Sequence, residues 1–327
     1  MARHRNLRLS LVLLSAIVVL AGCNSGPSVS GTFDRNYTVT GPILLELTNA
    51  SGDVDITGSA DGKVHVRGEV RASGFGFDNP QKRLDDTLAN PPVEQRGDTI
   101  RIGKEMSRMR HISIAYTIQV PRDTEVSATV ASGAQTIRGV RGPVKVQAAS
   151  GTIRVEKIER DVQLTTASGS VSATDIGNDV RVSSASGSVN VSNTKGDVRV
   201  NALSGVIRVS NPGGRIEADT ASGEVEIQGA ANDVKAHAVS GRVSVHGNPA
   251  ANSYWELKTV SGTVQLGVPA SANLHLSAEA ASGEIRTDIP IVIEEQGKHS
   301  LRAHMGSGGG RVDVHTVSGE IRVSGTK

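Results

Sequence analysis

One dipeptide, recurring at a fixed interval, constrains this chain more than any other feature. Ser-Gly begins at Ser132, Ser150, Ser168, Ser186, Ser204, Ser222 and Ser240, each step being 18 residues. It continues at Ser261 and Ser282 with steps of 21, and at Ser318 after 36, which reads as two steps of 18. Ser51-Gly52 is an earlier copy. Self-similarity at such a period marks a chain whose repeats stack, because a single repeat cannot bury its own apolar face.

Within each 18 there is a half-period of nine. Val144, Ile153, Val162, Val171, Val180, Val189, Val198, Ile207, Ile216, Val225, Val234 and Val243 follow one another at that step. Two residues after each comes another apolar residue, from Val146 and Val155 to Ala236 and Val245, and the residue between is always polar. Apolar-polar-apolar is the period of a strand with one face inward and one in water, and the β-branched choice agrees with it. The turns between these strands alternate between small-Ser-Gly and a polar or glycine-containing kind, as in Asn178-Asp179. Alternating turns make 18 residues, or two strands, one full coil. A three-sided hexapeptide helix also has 18 per coil, but six and twelve after Val171 come Gly177 and Ser183, which are not apolar.

The fold expected is all-β: a right-handed parallel β-solenoid (a β-helix) of about 18 residues and two short strands per coil. About 13 coils at ~4.8 Å would give a rod of roughly 60 Å. Glycine at the corner supplies positive φ, and the alanines before Ser-Gly (Ala149, Ala167, Ala185, Ala221) are expected to tuck under it. Val54, Ile56, Val64 and Val66 read as an opening coil pair. Residues 73–92 read as an inserted loop with one or two helical turns over Gln81 to Leu88. Strands resume at Thr99 to Ile102 and at Tyr116 to Val120, closed by Pro121. Val312 to Val323 reads as the last coil. The domain division is 1–22 leader, 23–30 tether and 31–327 a single solenoid domain. The chain has seven aromatic residues, which suits small uniform layers better than one large globular core.

Arg3, Arg5 and Arg8 precede a mainly apolar run from Leu9 to Leu20, the layout of a secretory signal and too short to span a membrane. The run ends in Leu20-Ala21-Gly22-Cys23, which resembles the lipobox of bacterial lipoproteins. That resemblance implies cleavage before Cys23 and acylation of its thiol, hence a membrane attachment through an N-terminal lipid. Asn24 in place of aspartate implies the outer membrane of a two-membrane bacterium. Cys23 is the one cysteine in the sequence, so an internal disulfide is excluded. Removing the leader takes away three arginines, and the formal charge falls from +2 to −1. The basic pI therefore gives no argument for nucleic acid.

The repeated Ser-Gly-x-Val-x-Val and Gly-Asp-Val-x-Val, preceded by the Tyr-x-Ile-x-Val-Pro of Tyr116 to Pro121, resemble a bacterial β-strand-repeat family of unknown function that bears the label "putative adhesin". The resemblance covers roughly residues 30–325 and brings no catalytic residues with it.

Nothing in the residue pattern points to catalysis. A nucleophilic serine needs a base and usually a strained elbow, yet no Gly-x-Ser-x-Gly occurs; the serine column reads as a hydrogen-bonding ladder. His65, His111, His237, His246, His275, His299, His304 and His315 are scattered without metal-ligand spacing. Asp161, Asp179, Asp197 and Asp233 lack the glycine pattern of calcium nonapeptides. Gly306 to Gly310 lacks the Gly-Lys-Ser/Thr of a phosphate loop. Glu217 and Glu226 belong to opposite sheets. The chain is therefore expected to be no enzyme and to need no cofactor or metal. It reads as a structural or adhesin-like scaffold with an envelope glycan or surface protein as partner; the alternative is a β-helical enzyme acting on envelope polysaccharide. One outward column runs Lys145, Gln163, Arg181, Arg199, Glu217, Lys235, and its cations form a candidate polyanion-contact face. The other runs Arg154, Ser172, Asn190, Arg208, Glu226, Ser244. Oligomeric state is not legible.

Overall fold

The computed structural model describes residues 28–74, 79–103 and 111–326. The leader, Cys23 and Asn24 lie outside them. The described residues form twenty strands and one helix, and the nine-residue valine pattern is the reason for six consecutive strands between Val144 and Gly247. Val144–Ile158 (β10), Val162–Ile176 (β11), Val180–Thr194 (β12), Val198–Pro212 (β13), Ile216–Ala230 (β14) and Val234–Gly247 (β15) each pair in parallel with the next in an 18-residue register. The fold is the β-solenoid read from the repeat, with one refinement. The two short strands of each coil are one bent strand, because pairing continues through the corner, as in Ser150↔Ser168 and Gly151↔Gly169.

Glycine at that corner is obligatory for two reasons. Gly169 and Gly187 hold φ values of 128° and 119°, and a Cβ on either would press into the carbonyl oxygen of the glycine one coil earlier. The serine beside it closes a ladder: Ser150, Ser186 and Ser204 donate to the carbonyls of Ala131, Ala167 and Ala185 in the preceding coil. The opposite turn has its own ladder. Asp179 and Asp197 carboxylates accept the backbone N–H of Asp197 and Arg215. Lys157, Asp175, Asn193 and Asn211 stand at positive φ there, and Asn211 donates to Asn193, which donates to Asp175. Asparagine and aspartate accept this backbone more readily than other side-chain-bearing residues.

The alanines before Ser-Gly do not tuck under the corner. Val144, Val146 and Ala148 point inward, so the period of two turns Ala149 outward. Ala167 and Ala221 are likewise exposed, while the buried residue is Thr166 or Thr220.

The order of coils at the C-terminal end also differs from the sequence expectation. Tyr254–Pro269 (β16) pairs with Gly310–Thr326 (β20), and β20 pairs on its other edge with Leu274–Thr287 (β17). The coil at Val312 to Val323 is thus inserted between two earlier ones. Ser300–Met305 (β19) and Val292–Gln296 (β18) then add antiparallel strands beyond β17, covering the end as stacked folds require.

At the N-terminal end, Leu44–Ser51 (β2) and Val54–Ser59 (β3) form the opening coil, stacked on Glu125–Ser132 (β8) and Gln135–Arg138 (β9). Val64 and Val66 are not its partners. They lie in Lys63–Ser73 (β4), which runs antiparallel between Ser28–Thr38 (β1) and Ile112–Pro121 (β7). Ser28 to Ser30, placed in the tether from sequence, already belong to β1. The insertion near 73–92 carries a helix, Pro80–Ala89 (α1), longer than the one or two turns expected. Asn79 caps it by accepting from the Lys82 N–H, with proline at its first turn. Val93–Arg96 (β5) and Thr99–Ile102 (β6) complete this end, with β5 antiparallel to β6 and β6 parallel to β2.

Candidate functional site

A groove of about 1400 Å³ runs along the solenoid beside the Ser-Gly corner, from Ala148 in β10 to the coil of β17. Three residues per coil build it. The floor is the last inward residue before the corner: Ala148, Thr166, Ser184, Ala202, Thr220, Ala238, Thr259, Thr316 and Ala280 in spatial order. One wall is the outward residue after it. That wall is alanine at Ala167, Ala185, Ala221 and Ala281, but large and apolar at Leu203, Val239, Val260 and Val317, which are 66%, 56%, 50% and 55% exposed. The other wall is polar and becomes charged toward β17: Thr165, Ser183, Asn201, Asp219, His237, Lys258, His315, Glu279. Exposed aliphatic side chains stacked coil upon coil form a continuous apolar stripe, which folded proteins keep where something binds.

The floor hydroxyls are occupied or hidden. Thr166, Ser184 and Thr220 donate to the carbonyls of Ser168, Ser186 and Ser222. Thr259 and Thr316 have no hydrogen-bond partner, and their hydroxyl oxygens are sealed beneath the surface. On the charged wall His237 lies 3.4 Å from Asp219 and 3.5 Å from Glu256. Burial, acting against both carboxylates, pushes its pKa below the ordinary histidine value. Lys258 pairs with Glu256 and, through that hydrogen bond first, holds the Glu256 carboxyl below its usual range. His315 lies 3.6 Å from Glu279. The structure also brings together His275 and His304, with Glu294 2.8 Å from His304. Sequence spacing gave no hint of this, because an antiparallel pair joins them. No group of three or more such side chains able to hold a metal occurs among the described residues.

The residues of the predicted polyanion face do form one column: Lys145, Gln163, Arg181, Arg199, Glu217 and Lys235 are successive register partners. Three of its four cations have carboxylate partners. Arg181 pairs with Asp179 at 3.1 Å, while Arg199 and Lys235 flank Glu217 at 2.7 and 3.3 Å. The hydrogen bond from Arg199 is the chief reason the Glu217 pKa is lowered. The one tryptophan, Trp255, is wholly buried in the valine column and donates to Asn232, so it offers no stacking platform to a sugar.

The sequence profile of the family described as Toastrack DUF4097 matches residues 45–250 and 219–324, which together span the coils and both groove walls. The chain belongs to the Toastrack DUF4097 family. No curated protein matches it. Among solved structures, the Toastrack chain is similar to a putative cell adhesion protein from Clostridium sporogenes ATCC 15579, at 10% identity over 91% of this chain and 100% of that one, with a TM-score of 0.23. It is also similar to a putative adhesin from Bacteroides fragilis NCTC 9343, at 14% identity over 90% of this chain and 97% of that one, with a TM-score of 0.27. Superpositions this loose do not establish a shared shape.

Proposed function

We propose that the Toastrack chain is a non-catalytic, adhesin-like binding scaffold of the cell envelope, anchored through lipid on Cys23, with the corner groove as its recognition surface. The continuous apolar stripe from Leu203 to Val317 carries this reading, because exposed aliphatic side chains at successive coils cost solubility unless a partner covers them. Several corner serines support the absence of catalysis, since their hydroxyls donate to backbone carbonyls of the preceding coil. The lipobox at Cys23 supports the anchor, and Asn24 supports the outer membrane.

The test compares binding of the leaderless chain (residues 24–327, which hold every described element) to isolated envelopes with that of Val239→Asp/Val260→Asp. These positions are exposed, so the variant should fold and melt like wild type while losing at least tenfold in envelope binding. Equal binding by both proteins would refute the groove as the recognition surface. For the anchor, Cys23→Ser should abolish incorporation of labelled fatty acid into the full-length protein in cells; undiminished labelling would refute it.

A further inference from the structure

The chemistry of the groove distinguishes between its possible occupants. An extended peptide or a glycan brings backbone amides or hydroxyls that need hydrogen-bond partners once water is displaced. The floor supplies none. Four of its nine positions are alanine, three hydroxyls are committed to their own turns, and those of Thr259 and Thr316 are sealed beneath the surface. The wall at Leu203, Val239, Val260 and Val317 is aliphatic. An occupant with nothing to hydrogen-bond loses nothing against this floor and this wall, while the opposite wall, polar from Thr165 to Glu279, is left to groups that do.

Resting on the reading of the groove as a recognition surface, we infer that it holds the acyl chain of an envelope lipid, with the lipid's polar head on the side of Asp219, His237, Lys258 and His315. The dimensions agree. The stripe of Leu203, Ala221, Val239, Val260 and Val317 covers five neighbouring coils, about 19 Å at ~4.8 Å per coil, comparable to an extended long-chain acyl group. A second copy of the protein is a poorer occupant, because a stable dimer buries about 800 Å² per partner and this channel is one side chain wide at each wall. The polar wall gives an amphiphile a hydrated side on which to keep its head. Because the groove is open, a chain lying in it buries about half its surface. Full burial of a methylene raises affinity about fourfold, so half-burial gives about twofold.

The experiment is displacement of cis-parinaric acid from the leaderless chain by saturated fatty acids of ten to eighteen carbons, each below its micellar concentration. Affinity should rise about fourfold for every two carbons and level off where the chain outruns the stripe. Val239→Asp/Val260→Asp should bind at least tenfold more weakly, with Val239→Ser/Val260→Ser as the gentler substitute should the aspartates lower the melting temperature. Arg208→Ser, on the other outward column, should bind as wild type. Affinity independent of chain length would overturn the inference. So would binding of an alternating (Val-Lys)5 peptide in preference to every fatty acid. Groove-dependent envelope binding combined with a flat chain-length series would sink the acyl chain and leave the recognition surface standing. Loss of both would sink the recognition surface itself.

Discussion

Thr259 and Thr316 lie side by side in register on β16 and β20, and neither hydroxyl finds a hydrogen-bond partner. Thr220 at the same floor position does, donating to Ser222. A buried hydroxyl without a partner loses its hydration and regains nothing, at a cost of about 1–3 kcal/mol. Valine has the same shape and no such group. Thr259→Val and Thr316→Val should therefore each stabilise the protein, raising the melting temperature by a few degrees, whereas Thr220→Val should lower it. Scanning calorimetry of the three variants is the check, and destabilisation by all three would contradict the assignment.

The inward column sets the register. Val189 is wholly buried between Val171 and Ile207, so Val189→Asp would place an unpaired charge in a dry layer, at more than about 4 kcal/mol. Arg199 points to water and pairs with Glu217 at an exposed site, a contact that contributes about 0–1 kcal/mol. Arg199→Ser should therefore be nearly neutral. Urea unfolding curves that shift equally for both would refute the register.

His237 makes a pH dependence. Burial lowers its folded-state pKa below the unfolded value near 6.5, against the opposing pull of Asp219 and Glu256 and with a smaller contribution from Lys235 and Lys258. Below that unfolded pKa the unfolded chain binds the proton more readily, so stability falls as pH drops from about 7 through the mid-sixes. His237→Gln should flatten this part of the curve. The lowered carboxyls of Glu217, Asp233 and Glu256 act at lower pH, where their contribution disappears as they protonate. A melting temperature of wild type that is unchanged between pH 7.5 and 5.5, or a variant with the same slope, would contradict the role of His237.

The basic column remains a proposed polyanion contact, and its ion pairs determine how it should behave. Glu217 engages both Arg199 and Lys235. Glu217→Gln should release them and strengthen binding of an anionic glycan severalfold at low salt, with the gain vanishing at high salt through screening. Arg181→Ser/Arg199→Ser should weaken it. Unchanged binding in both variants would return the column to a solvated charge ladder.

Much of this was legible in the sequence. The nine-residue step placed Val144 through Val243 inward, and the 18-residue step fixed the outward columns that β10 to β15 display. The position of β20 was not legible. Ser261, Ser282 and Ser318 carry interchangeable corners, so spacing cannot say that Gly319 stacks between Gly262 and Gly283. The antiparallel ends escaped for a related reason: Val64 and Val66 alternate like any coil strand, and alternation does not encode direction. The groove was missed through one error of phase at Ala149 and Ala167. Its sequence signal was present in Leu203, Val239, Val260 and Val317, large apolar residues standing where other coils keep alanine. The asparagine turn was hidden because Gly139, Lys157, Asp175, Asn193, Asn211 and Gly229 share a backbone conformation and not a residue type.

The most direct test of the groove as the binding surface is photocrosslinking in intact cells, with a photoreactive residue at Val260 in the apolar wall or at Arg208 on the other outward column. The groove reading predicts discrete adducts from position 260, lost when Leu203→Asp/Val239→Asp is added, and none above background from position 208. Equal adducts from both positions, or none from position 260, would contradict it.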